Sequence, residues 1–136
     1  MIKESMLFLY FGGTCSGALA FYRDVLGAEI IERTTYGEAD MTSNDAVKDL
    51  VMNATFKLGG MTFCSSDVLG GTPTAGDALS IWLEFDSEAS LREVYARFGQ
   101  DDCHVLSEAE ETFWNALYAK VRDPFGMIWE LNYQRQ

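Results

Sequence analysis

The residue in this chain best suited to chemistry is a carboxylate, Glu130, in the last predicted strand. Side chains alternate between the two faces of a strand, and its neighbours Trp129 and Leu131 belong to the face that packs on a helix. Glu130 is therefore predicted to point into a cavity, where burial would raise its pKa and let it act as a general base. The alternative is a structural role, in which it accepts a hydrogen bond from Tyr10, Ser80 or a backbone amide.

The strand predicted at 79–85 alternates in the same way and places Ser80, Trp82 and Glu84 toward the cavity. Cys64 is predicted to face the same cavity, as a nucleophile or a redox site. No histidine or basic residue lies near it in sequence to lower the thiol pKa, so an inert buried thiol is favoured.

Aromatic residues are predicted to line this cavity and could hold a flat or cationic ligand. The alternatives are packing in the core or at a dimer interface. Glu84 beside Trp82 favours a cation if both side chains point inward. The candidate aromatic residues are Phe8, Tyr10, Trp82, Phe113, Trp114 and Tyr118.

Composition and charge exclude several classes of function. The chain has 136 residues, 10 Lys+Arg against 21 Asp+Glu and a formal net charge of -11, which disfavours nucleic acid and anionic membranes as partners. An apolar fraction of 48% favours a folded core over disorder. The three cysteines form no Cys-x-x-Cys pair, and the N-terminus resembles neither a signal peptide nor a membrane segment. We therefore expect a cytoplasmic protein with free thiols.

The predicted elements that position these residues occur twice in the same order. Each time, a strand is followed by a helix and then by three strands. A Gly-rich stretch at 70–77 separates a predicted N-terminal module, 1–69, from a C-terminal module, 78–136, within one domain. The predicted strands are 6–11, 28–35, 51–57, 61–66, 79–85, 103–106, 117–122 and 127–133. The predicted helices are 16–26, with Ser16 as its N-cap, and 87–98.

The two modules also match residue by residue. Phe11 matches Phe85, and residues 60–64 match residues 126–130, which places Cys64 where the second module has Glu130. The sequence thus predicts an α+β fold. Two βαβββ modules would curve into a half-open, barrel-like sheet, with the helices outside and a cavity inside.

Four motifs resemble the vicinal oxygen chelate superfamily, the fold of glyoxalase I, extradiol dioxygenases and bleomycin-resistance proteins. They are residues 19–22 (LAFY), 26–28 (LGA), 111–114 (ETFW) and 123–131 (DPFGMIWEL). The ETFW stretch is similar to that of the PhnB-like branch. The resemblance implies paired βαβββ modules, often assembled as a homodimer.

Metal-using members of that superfamily place His and Glu ligands on strands that face the cavity. The positions that correspond here are Met6, Cys64, Ser80 and Glu130, and only Glu130 matches. A divalent ion in such a site needs several hard or borderline donors close together, which this set does not supply. We therefore expect no metal and no cofactor, with the single histidine, His104, exposed at a strand end.

These observations favour a metal-independent small-molecule-binding protein, with an aromatic or cationic ligand in the sheet cavity or at a dimer cleft. One alternative is a lyase, isomerase or dioxygenase with Glu130 as general base or metal ligand. Another is a structural or regulatory dimer without a ligand. The predicted ligand-binding residues are Phe8, Tyr10, Cys64, Ser80, Trp82, Glu84, Phe113, Trp114 and Tyr118.

Overall fold

Each half of the chain folds into one four-stranded sheet and one helix. The computed structural model describes residues 1–100 and 102–136. The chain divides into two units, Met1–Thr74 and Ala75–Gln136, and this division falls inside the stretch predicted to link the modules. The predicted α+β fold of two βαβββ modules is confirmed.

The first unit contains five elements in the order predicted for a βαβββ module. They are β1 (Leu7–Phe11), α1 (Cys15–Leu26), β2 (Glu29–Thr35), β3 (Val51–Leu58) and β4 (Met61–Asp67). The strand order across the sheet is β1-β4-β3-β2, in which β1 and β4 are parallel and the other pairs are antiparallel.

The second unit repeats this topology. Its elements are β5 (Ile81–Glu84), α2 (Glu88–Arg97), β6 (His104–Glu111), β7 (Ala116–Arg122) and β8 (Ile128–Gln134). The strand order is β5-β8-β7-β6, with β5 and β8 parallel. The parallel pair β5–β8 of the second unit therefore corresponds to the parallel pair β1–β4 of the first.

Apolar side chains from the helix and the sheet form the core of each unit. In the first unit the Tyr22 ring of α1 lies 5.7 Å from the ring of Phe56, which stacks on Phe63 at 4.8 Å between centroids. In the second unit Leu91 of α2 and Trp129 of β8 are fully buried. Neither helix reaches the length or the apolar content needed to cross a membrane, a finding that applies to the described residues.

Helix α1 begins one residue earlier than predicted and is capped differently. Ser16 was the predicted N-cap, but the N-cap is Thr14, whose side chain makes no capping bond. The buried Asp67 at the end of β4 takes that role. Its Oδ1 accepts hydrogen bonds from the amides of Gly13 (2.8 Å) and Cys15 (2.9 Å). This cap is 52 residues away in sequence and needs the β1–β4 pairing, so local sequence could not reveal it.

Strand β6 is longer than predicted. The sequence predicts a strand at 103–106 and a polar connection at 107–112, whereas β6 runs over eight residues, His104–Glu111. It lies at the edge of its sheet and pairs with β7 alone, so polar and acidic side chains there can stay in water. The prediction failed because a charged edge strand has the composition of a loop. His104 is exposed at the start of this strand, as predicted.

Candidate functional site

One face of the second sheet carries most of the predicted site residues. In the parallel β5–β8 pair, Trp82 lies opposite Glu130 and Glu84 lies opposite Asn132, while Tyr118 of β7 lies opposite Asn132 from the other side. Directly opposed residues project from the same face of a sheet. The residues of this surface, named the Glu130 face below, are Ser80, Trp82, Glu84, Tyr118, Glu130 and Asn132.

Both carboxylate oxygens of Glu130 accept hydrogen bonds from hydroxyl groups. Ser80 Oγ donates to Oε2, and the Tyr118 hydroxyl donates to Oε1. Burial raises the pKa of Glu130, but these two hydrogen bonds and the charge of Lys120, its partner on β7, outweigh it and hold the pKa below its ordinary value.

The pKa of Glu130 therefore shifts in the opposite direction to the one predicted. The sequence predicts a carboxylate in an apolar cavity with a raised pKa, but the residues around Glu130 supply two hydroxyls and one ammonium group. The predicted hydrogen bond from Ser80 is present, and Tyr118 provides a second one. Burial and Glu130 together raise the pKa of Tyr118 to about 12, so its hydroxyl acts as a donor at neutral pH.

Glu84 accepts hydrogen bonds from three nitrogen atoms, those of Asn132, Trp82 and Gln134. Its Oε1 accepts from Asn132 Nδ2 at 2.9 Å and from Trp82 Nε1 at 3.2 Å. Its Oε2 accepts from Asn132 Nδ2 at 3.2 Å and from the Gln134 amide at 2.9 Å. Three nitrogen atoms thus engage both oxygens of the carboxylate and fix its orientation.

Three aromatic rings stand around this polar network. The Tyr118 ring centroid lies 5.9 Å from that of Trp82 and 5.8 Å from that of Trp114, whose Nε1 donates to Asn132 Oδ1 at 3.2 Å. Trp82 and Trp114 keep 49% and 38% of their surface exposed. Phe113 packs edge-on against Trp114 at 4.9 Å and is almost fully exposed. The Nε1 atoms of Trp82 and Trp114 are hydrogen-bonded, yet both indoles stay partly exposed. Their ring faces are therefore available to a ligand.

The remaining predicted site residues lie on the first sheet. Phe8 is opposite Cys64 in the β1–β4 pair, as Trp82 is opposite Glu130 in β5–β8, which confirms the predicted match between the modules. The Phe8 and Tyr10 rings are stacked at 4.7 Å between centroids. Cys64 is buried, and its Sγ donates to Met6 Sδ at 3.1 Å.

The donor atoms at the positions implied for a metal do not fit a divalent ion. Within the first unit these positions supply a thiol and a thioether, and within the second they supply a hydroxyl and a carboxylate whose oxygens already accept hydrogen bonds. Across residues 1–100 and 102–136, no three His, Cys, Asp or Glu side chains are grouped so that they could hold a metal ion. Divalent ions bound through nitrogen and oxygen generally need such a group.

Two residues that act on the Glu130 face, Asn132 and Lys120, are not among the site residues that the sequence predicts. Asn132 is only 2% exposed and bonds to both Glu84 and Trp114. The available signal was alternation, because Asn132 is two residues from Glu130 in the same strand. An asparagine carries no charge and matches no motif, so it was not recognised as a centre of the network.

Known proteins share this architecture along the whole chain. The curated protein YjdN of Escherichia coli (strain K12) is 23% identical over 139 residues, covering 95% of this chain and 94% of that protein. The crystal structure of PA1353 from Pseudomonas aeruginosa matches with a TM-score of 0.81 and 25% identity, covering 98% of this chain and 100% of that one. The structure of the PhnB protein from Bacillus cereus matches with a TM-score of 0.82 and 23% identity, covering 96% and 99%.

A protein-family comparison agrees with the topology and the motifs. The model of the Glyoxalase/Bleomycin resistance protein/Dioxygenase superfamily matches residues 7–131, from the start of β1 to the middle of β8. The match includes most of both modules and every residue of the Glu130 face except Asn132. The chain therefore belongs to the glyoxalase/bleomycin resistance protein/dioxygenase superfamily.

Proposed function

We propose that this protein binds a small organic molecule, aromatic or cationic, on the Glu130 face. Membership of the superfamily supports a small-molecule-binding role. The observation that carries the proposal is the set of three neighbouring rings, from Trp82, Trp114 and Tyr118, beside two carboxylates. Exposed aromatic faces beside polar groups of fixed orientation are typical of sites that bind flat or cationic ligands.

Binding is proposed to need no metal ion. The one carboxylate at the implied metal positions, Glu130, has both oxygens engaged by Ser80 and Tyr118. A metal bound to Glu130 would compete with both hydroxyls and would find no second strong donor among these groups. An aromatic ligand can use the exposed rings without disturbing any of these bonds.

The enzymatic alternative, with Glu130 as general base, receives less support from the geometry. A general base works best when its pKa lies near the operating pH. The hydroxyl bonds and Lys120 move the pKa of Glu130 away from neutrality, so the carboxylate is a weak proton acceptor. Its two hydroxyl partners hold it in place, which suits a fixed negative charge.

A ligand screen on metal-free protein tests the proposal. Aromatic and cationic compounds are screened by thermal shift and tryptophan fluorescence after treatment with EDTA. The proposal expects hits that raise the melting temperature without added metal and that are lost in Trp82→Ala. Ile31→Ala is the matched control, since Ile31 is also 49% exposed but lies in β2 of the other unit.

Three results would contradict the proposal. One is that no compound in the screen binds, which would favour the structural or regulatory dimer. Another is that binding survives Trp82→Ala unchanged, which would place the ligand elsewhere. The third is that binding requires an added divalent ion, which would remove the metal-independent part of the proposal.

A further inference from the structure

We infer that the Glu130 face selects quaternary ammonium ligands, whose charged nitrogen carries no hydrogen, over primary ammonium ligands. The inference rests on the proposed function, because it specifies the ligand class of the same surface. It follows from three properties of the site. The carboxylates already accept hydrogen bonds, the N–H and O–H groups of the rings are used inside the network, and the surface carries negative charge.

The first property is that both carboxylates already accept hydrogen bonds from the protein. Asn132 Nδ2 contacts both of its oxygens, and Trp82 Nε1 and the Gln134 amide contact one oxygen each. Glu130 is also engaged on both oxygens, by Ser80 and Tyr118. A ligand ammonium that makes direct N–H···O contacts shares these oxygens with the protein donors.

The second property is that all three rings use their own polar hydrogens inside the network. Trp82 Nε1–H is bonded to Glu84, Trp114 Nε1–H to Asn132 and the Tyr118 hydroxyl to Glu130. What the rings offer to a ligand is therefore their faces. Trp82 and Tyr118 each donate to a carboxylate, which polarises the ring toward greater electron density and strengthens its attraction for a cation.

The third property is a negative charge without an ion pair. In the part of the chain that the structure describes, the ion pairs formed within 4.0 Å include neither Glu84 nor Glu130. Lys120 lies opposite Glu130 in the sheet, but Glu110 of β6 lies opposite Tyr118 and adds another carboxylate. The surface thus attracts a cation through its charge and its rings.

These properties favour a cation that does not donate hydrogen bonds. A primary ammonium group loses strong hydrogen bonds to water when it binds, and it shares the oxygens of Glu84 and Glu130 with protein donors, so its desolvation is poorly compensated. A trimethylammonium group makes no such bonds in water and presents methyl groups to the ring faces, where cation–π attraction applies.

The test compares three probes that share one phenyl ring: benzyltrimethylammonium, benzylammonium and benzyl alcohol. Their dissociation constants are measured at pH 7 by tryptophan fluorescence and calorimetry. We expect benzyltrimethylammonium to bind about tenfold or more tightly than either of the others. The preference should weaken as salt concentration rises, because part of the attraction is long-range charge.

The outcomes separate this inference from the proposed function. If benzylammonium or benzyl alcohol binds as tightly as the quaternary probe, the selectivity inference is wrong and the proposed function stands. The same holds if no probe binds although other compounds of the screen bind at Trp82. If neither the probes nor the screened compounds bind, both proposals are overturned.

Variants test the role of the carboxylates. Glu84→Gln should weaken benzyltrimethylammonium about tenfold and leave benzyl alcohol unchanged, and Glu130→Gln gives an independent arm if the first variant folds poorly. Glu93→Gln, an exposed change on α2, removes the same charge outside the face and should have no effect. Equal weakening by Glu93→Gln would contradict a local role for Glu84 and Glu130.

Discussion

Asn132 donates from its side-chain Nδ2 to both carboxylate oxygens of Glu84, at 2.9 and 3.2 Å. The two residues lie opposite each other on the parallel strands β8 and β5. The other end of the same amide accepts from Trp114 Nε1. One buried side chain thus fixes the orientation of a carboxylate on one strand and of an indole in the turn before β7.

Replacing Asn132 by alanine should destabilise the protein and disorder both partners. In this variant the Glu84 carboxylate and the Trp114 indole lose the partner that they share. We therefore expect the free energy of unfolding to fall by ~2 kcal/mol. Urea denaturation measures the loss, and near-ultraviolet circular dichroism reports the tryptophan environment. Gln100→Ala, at an exposed position, is the control. A loss no larger than that of the control would show that the network contributes little to stability.

Removing the Tyr118 hydroxyl should raise the pKa of Glu130. In the wild type the folded pKa lies below the ordinary value of 4.5, so the contribution of Glu130 to stability is present above the unfolded pKa and is lost as pH falls through the folded pKa. Tyr118→Phe keeps the burial but deletes one stabilising bond to the carboxylate.

Carbon-13 NMR titration of the glutamate carboxyl groups measures this effect. The Glu130 resonance should titrate at higher pH in Tyr118→Phe than in the wild type. Tyr133 projects from the face of β8 opposite to Glu130 and Asn132. Tyr133→Phe therefore removes a hydroxyl on the other side of the sheet and should leave the Glu130 titration unchanged. An unchanged Glu130 titration in Tyr118→Phe would mean that the hydroxyl does not stabilise the carboxylate.

The Asp67 cap should be among the most sensitive positions of the first unit. Its Oδ1 accepts from the amides of Gly13 and Cys15, and its Oδ2 accepts from the amide of Val51 at 2.9 Å. Asp67→Ala leaves the buried amides of Cys15 and Val51 without an acceptor and should cost ~3 kcal/mol or more by urea denaturation. Asp24→Ala, an exposed acid of the same unit, should change stability by less than about 0.5 kcal/mol. Similar losses in the two variants would refute the capping role.

Cys15 should resist alkylation in the folded protein. Burial raises the pKa of this thiol to about 11, and its exposed surface is zero. The thiolate is the reactive form, so iodoacetamide at pH 8 should leave Cys15 unmodified until urea is added. Mass spectrometry of peptides measures the modification site by site. Rapid labelling of Cys15 without denaturant would show that the end of α1 opens readily.

The homodimer implied by the resemblance stays a prediction. Sedimentation velocity at several protein concentrations measures the assembly state. We expect a mass near twice the 15.2 kDa of the chain, and a monomer at all concentrations would be the contrary result.

Much of the fold could be predicted because the apolar pattern is strong where the core is. The helix at 16–26 and the strands that flank Gly59–Gly60 were placed within a residue or two. Edge strand β6 was truncated, since its acidic residues need no burial and so leave no periodic signal. Local sequence predicts Ser16 as the cap of α1, because a local rule cannot anticipate a donor–acceptor pair joined across 52 residues.

The sequence by itself determined the two-module topology and which side chains share a face with Glu130, because strand alternation and the internal match are local properties. Only the tertiary structure decided the electrostatics of that face. The pKa of Glu130 depends on Ser80, Tyr118 and Lys120, which three-dimensional pairing brings to it from two other segments of the chain. Such neighbours decide whether a carboxylate acts as a base or as a fixed charge. They come within reach of the carboxylate only when the strands pair.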